Sequence, residues 1–184
     1  MKRVLVAGVV CLLAAQNARA ASVQPDRKDF QVLKDVATTV ERYVHFTIFD
    51  DVSANVKDGT VTLSGRVTMP YKKDDIEKRV AKVNGVVSVK DDIAVLPVST
   101  FDDQLRARIA RGIYNNSNFW SYAIMPNPPI HIVVERGRVT LTGVVGSDVD
   151  RMLARSIASQ SGAFSVTCDL KTDAEVREAL EKSE

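Results

Sequence analysis

Apolar positions along the chain switch period several times. Leu33, Val36, Val40 and Tyr43 recur at helical spacing, and so do Leu105, Ile109 and Ile113, which predicts two amphipathic helices. Thr100 with Asp103 three residues later reads as a capping signal at the start of the second. Further on, the period drops to two. Val61, Leu63 and Val67 alternate with polar Thr62 and Ser64, as a strand with one buried face requires. Asp58-Gly59 and Arg136-Gly137 each sit between runs rich in Val and Thr, where glycine supplies the positive φ of a tight hairpin. Another helix is expected after each hairpin, carried by Ile76, Val80 and Val83 and then by Val149, Leu153 and Ile157. Gly85 and Gly162 are placed to end them in the left-handed C′ position. A last strand over residues 86–95 or 163–170 completes each half.

These halves are copies. Residues 57–67 (KDGTVTLSGRV) align with 135–145 (ERGRVTLTGVV) at a constant offset of 78, and 85–89 (GVVSV) with 162–166 (GAFSV) at 77. The element order in both is α-β-β-α-β. In the second copy a longer stretch separates first helix from hairpin: Val40 to Val56 spans 16 positions, but Ile109 to Val134 spans 25. Each unit has only about 70 residues, a size at which burial is marginal, so docking of the two is expected.

Composition narrows the class. With 184 residues, 45% hydrophobic and 26% charged, the chain is neither disordered nor fibrous. Its long apolar stretch lies at the N-terminus, which excludes a multi-span membrane protein. There Lys2 and Arg3 precede 12 apolar residues, Val4 to Ala15, followed by Ala18-Arg19-Ala20. Such a run rises only about 18 Å as a helix, short of a bilayer core of roughly 30 Å. The pattern is that of a cleaved export signal, cut between Ala20 and Ala21, which predicts a periplasmic protein. Cys11 stands in mid-run with a better cleavage site after it, so a lipid anchor is not expected. Without the signal, 22 basic residues (25 − 3) face 23 acidic ones, a balance with no nucleic-acid footprint. Cys168 is then the sole cysteine and reads as a small buried hydrophobe.

Catalytic patterns are scarce. His45 and His131 have no Cys or His at metal spacing, and no G-x-S-x-G, P-loop or G-x-G-x-x-G occurs. No catalytic residue, metal or cofactor is expected. The acid pairs Asp50-Asp51, Asp74-Asp75, Asp91-Asp92 and Asp102-Asp103 lack the spacing of a calcium loop and read as capping and solubility. The second copy carries the more informative cluster. Arg106, Arg108 and Arg111 flank the apolar stripe of its first helix, and Phe119, Trp120 and Tyr122 follow in the long connection. Guanidinium groups beside amphipathic rings suit a phospholipid interface. The competing reading packs the three aromatics under the loop or between the units.

Taken together, the paired units, the hairpin pattern D-G-x-V-x-L-S-G-x-V and the later helix-Gly-Val step resemble the BON domain over residues 30–97 and 100–171. The second copy departs by Arg136 in place of the turn acid and by its longer connection. This resemblance implies an α+β fold of two small domains, each a three-stranded mixed sheet with two helices packed on one face. The expected division is a linker over 21–29, domains over 30–98 and 99–171, and a charged tail over 172–184 forming an exposed, frayed helix. It implies binding rather than catalysis: an anionic phospholipid surface or an envelope protein as partner, peripheral membrane contact at most, and a part in envelope integrity or osmotic stress tolerance. A soluble protein-interaction or chaperone-like module is the alternative.

Overall fold

The computed structural model describes residues 25–181; the expected signal, with Ala20 and Ala21, lies outside the described residues. Helix α1 (Pro25–Glu41) buries Val32, Val36 and Val40. The buried stripe thus runs through Val32 where Leu33 was expected, and Tyr43, 2% exposed, lies past the helix end. Strands β1 (Asp51–Lys57) and β2 (Thr60–Val67) pair antiparallel, and β3 (Ser88–Val95) lies parallel to β2 after α2 (Pro70–Val80). Val61, Leu63 and Val67 are 0% exposed, so the period-two face is the core face.

The second unit repeats this order: α3 (Thr100–Tyr114), α4 (Trp120–Ala123), β4 (Ile130–Glu135), β5 (Arg138–Val145), α5 (Asp148–Gln160) and β6 (Ser165–Cys168). Both units are three-lane mixed sheets with their helices on one face, the α+β fold expected. In the second unit the third lane is broken. A two-residue strand β7 (Lys171–Thr172) continues it along β5, and Leu170, 1% exposed, plugs the core at the break. The tail helix α6 (Asp173–Glu181) is largely exposed but not adrift. Thr172 and Glu175 form a reciprocal capping box at 2.8 and 3.2 Å, and Glu175 takes both oxygens to Arg151 at 2.9 Å.

Several local expectations shift by a residue or more. Ser99, not Thr100, caps α3 by accepting from Asp102 N at 3.2 Å. Gly162 follows the C-cap of α5 at φ 87°, but α2 has already ended at Ala81, and Gly85 turns the chain four residues later. On α5 the deep positions are Ala154 and Ala158, both 0% exposed, while Val149 is 63% exposed. Here small residues let α5 approach α3 closely, and Gly112 sits against Ile157. Matching buried positions pairs Val32, Val36 and Val40 with Leu105, Ile109 and Ile113 at an offset of 73. The inserted stretch is therefore five residues (21 from Ile113 to Val134 against 16), shorter than the sequence alignment suggested.

One device recurs in both copies. Each hairpin turn has two left-handed residues, Asp58 and Gly59 at φ 52° and 74°, Arg136 and Gly137 at 51° and 73°. A carboxylate near the start of each unit's first helix receives both turn amides. Asp29 accepts from Asp58 N and Gly59 N at 2.7 and 3.0 Å, and Asp102 from Arg136 N and Gly137 N at 2.8 and 2.7 Å. Asp102 is 0% exposed and so is Asp50, which corrects the solubility reading of those acid pairs. Asp50 takes five bonds from Thr47, Thr68 and Lys72, the last an ion pair at 2.6 Å.

The loop that carries Asp50 also joins the units. Ile48 O accepts from Ile132 N at 2.6 Å, and Asp50 O meets His131 Nδ1 at 2.6 Å. Because a carbonyl only accepts, that ring nitrogen carries the proton. Phe46 packs against His131, Ile48 and Phe49 pack on the second core, and Arg66 pairs with Glu135 at 2.9 Å.

Candidate functional site

The six residues expected to face lipid divide sharply. Arg106 is only 5% exposed: Nη2 donates to Val134 O at 2.5 Å and Nη1 to the Asp103 carboxylate. Its role is to close the free edge of β4. A two-residue turn makes Glu135 and Arg138 exchange both ladder bonds, so the backbone groups of Val134, Ile132 and Ile130 point away from β5. Arg106 takes Val134 O, the Ile48 carbonyl takes Ile132 N, and Tyr114 Oη donates to Ile130 O at 2.6 Å. Burial holds the Tyr114 phenol above its ordinary range. Phe119 is 0% exposed within the second core. Arg106 and Phe119 are therefore structural, and the lipid assignment is corrected for both.

The inserted segment is built on that anchor. Asn116 caps a 3₁₀ turn (Ser117–Phe119) by accepting from Asn118 N at 3.0 Å, and α4 follows directly. Tyr122 Oη accepts from Gly146 N at 2.7 Å and donates to Asp150 Oδ2 at 3.2 Å, stapling α4 to the start of α5. Partial burial, with Asp150 beside it, moves this phenol upward despite the bond from Gly146. Between buried Phe119 and stapled Tyr122, Trp120 is left 68% exposed. Ile124 and Met125 extend the same ledge at 65% and 43% exposed; four residues from Trp120, Ile124 comes back to the same side of the turn. Arg108 is exposed although Nη1 reaches Ser161 O at 2.7 Å, and Arg111 is exposed as well. On α5, Val149 and Met152 are both 63% exposed.

Ile124, Met125, Val149 and Met152 were missed in the sequence. The first two directly follow the aromatic cluster and could have been read with it. The α5 pair is hidden because Val149 stands at helical spacing from Leu153 and Ile157 and reads as core. Among the described residues no group of three or more His, Cys, Asp or Glu could hold a metal ion, and no helix is long and apolar enough to cross a membrane. Cys168 is half-buried against the second core, its thiol 3.9 Å from Arg151 O.

This division yields a test. Arg106→Ala should lower stability by about 2 kcal/mol, the usual cost of removing a charged hydrogen-bond donor from a buried acceptor. Phe119→Ala should cost about 3–5 kcal/mol as a core cavity. Urea unfolding checks both. A variant of Arg106 that retains full stability would contradict the edge-closing role.

The BON domain family matches residues 28–97 and 101–174. No curated protein matches the chain. Among solved structures, CdsD, a structural protein of the type III secretion system of Chlamydia trachomatis, is 12% identical with a TM-score of 0.30, covering 82% of this chain and 97% of that one. Its C-terminal domain is 14% identical with a TM-score of 0.30, covering 77% and 96%. Overlaps this low bear no weight for this chain. Two family matches spanning most of the sequence, on two copies of one fold, establish the chain as a tandem BON-domain protein.

Proposed function

We propose that this is an exported envelope protein that attaches to phospholipid surfaces through its second unit. The observation that carries the reading is the exposure of Trp120, Ile124 and Met125 beside Phe119, which is buried in the second core. A large exposed aromatic costs solubility unless something covers it, and Trp suits the headgroup depth of a bilayer. Arg108 and Arg111 supply guanidinium groups for lipid phosphates. With Arg106 structural, two arginines make a weak electrostatic hold, about 1 kcal/mol each at an anionic surface. Insertion of the ledge therefore supplies the larger share, and attachment is reversible. The N-terminal signal pattern supports periplasmic residence, and envelope integrity or osmotic tolerance is the process such a peripheral binder would serve.

Vesicle titration tests this. Trp120 emission should shift to the blue with phosphatidylglycerol vesicles, less with phosphatidylcholine. Trp120→Ala should remove co-sedimentation, and Arg108→Glu with Arg111→Glu should weaken it about tenfold or more. An unchanged spectrum together with no co-sedimentation would leave protein binding as the better reading.

A further inference from the structure

The second unit closes the outer edge of β4 with Tyr114, Arg106 and the Ile48 carbonyl. The first unit has the same edge and none of these closures. At the helix offset of 73, Leu33 stands where Arg106 would be, Glu41 replaces Tyr114, and Phe30 replaces the Asp103 that pairs with the arginine. Lys57 and Thr60 flank a two-residue turn and so exchange both ladder bonds. Alternation then turns the N–H and C=O groups of Val56, Ala54 and Val52 away from β2. Among the described residues no hydrogen bond reaches those groups. Their side chains stay partly exposed, whereas the equivalent Ile130, Ile132 and Val134 are 0% exposed. Alongside runs α1, with Leu33 half-buried and Phe30 52% exposed.

We propose that the β1 edge of the first unit receives an extended segment of a partner protein as an added strand. Its alternate residues would be apolar, packing toward Leu33 and Phe30, with polar residues between them over Ser53, Asn55 and Lys57. The fold supplies its own precedent, because the main chain at Ile48 already occupies the corresponding edge of β4. A lipid chain would satisfy the apolar side but leave the row of backbone donors and acceptors without partners. A second copy of this chain cannot lend the segment around Ile48, which is engaged with its own second unit. This site lies on the other unit from the Trp120 ledge and stands independently of lipid attachment.

The experiment uses residues 21–184 and two capped peptides of alternating valine and threonine flanked by glutamates. One of them is N-methylated at alternate amides. By NMR, the plain peptide should shift Val52, Ala54 and Val56 and slow their amide exchange. The methylated peptide should bind about tenfold more weakly or worse, since it lacks strand donors. Phe30→Asp with Leu33→Arg, which brings in the closure of the second unit, should abolish the effect. So should Ala54→Pro, a residue that an exposed edge tolerates. Several results would overturn the proposal: equal binding of both peptides, shifts confined to the second unit, or no shift at millimolar peptide. Slow exchange at those three amides before any peptide is added would do so too, meaning that another part of this chain or a second copy covers the edge.

Discussion

Asp50→Ala should destabilise the first unit by about 3–5 kcal/mol. The carboxylate is 0% exposed and holds Lys72, itself 4% exposed, at 2.6 Å. Removing it strands an ammonium group away from water, and removing its five bonds frees the Thr47 and Thr68 amides as well. Lys72→Met should cost less, because Asp50 then keeps four donors from Thr47 and Thr68. Far-UV circular dichroism during urea unfolding ranks the two; the reverse order would contradict the hub. An acid dependence follows. Burial alone would raise the Asp50 pKa, but the bonds from Lys72, Thr68 and Thr47 outweigh it and hold the carboxyl below its usual range. Its folded value lies under its unfolded one. The stability it contributes is therefore complete above the ordinary carboxylate pKa of about 4 and is lost as pH falls through the folded value. Asp50→Asn should flatten that part of the acid transition.

The second large effect is expected at Asp102. Asp102→Ala should cost about 3 kcal/mol, since two turn amides lose a buried charged acceptor. Asp29→Ala should cost less, because its bond from Asp58 N is solvent-exposed and that from Gly59 N only part-buried, and Asp58 suits a left-handed turn better than arginine does. Arg136 holds φ 51° with a side chain ill-matched to that region, so Arg136→Asn should recover about 0.5–1 kcal/mol. Thermal denaturation of the four proteins checks the order, and equal losses from Asp29 and Asp102 would argue against it.

Asp102 also shows where sequence reading runs out. Asp102 and Asp103 are adjacent acids at a helix start and look alike locally. What separates them is a turn 34 residues away that only Asp102 meets. Arg106 and Arg108 differ in the same manner. One lies where its guanidinium reaches the edge of β4, the other where the helix faces outward. The hairpins were legible because a turn is decided by the two residues that make it. Strand faces were legible because the alternation of Val61, Leu63 and Val67 has no helical reading. The face of α5 was half legible: Leu153 and Ile157 do pack against the second core, but the deepest positions are Ala154 and Ala158, because close approach favours small residues, and Val149 turns outward. The Trp120 ledge was half legible. Composition marks an aromatic cluster, but which ring turns inward depends on a 3₁₀ turn that the sequence does not announce.

The bond from Ile132 N to the Ile48 carbonyl has a temporal side. A polypeptide made from its N-terminus exposes residues 46–50 well before residues 130–135 exist. Domains generally fold as units in that order. Where the earlier half folds first, its loop over residues 46–50 is in place when the later strand arrives. The order of synthesis protects the half whose border would otherwise be the stickier of the two.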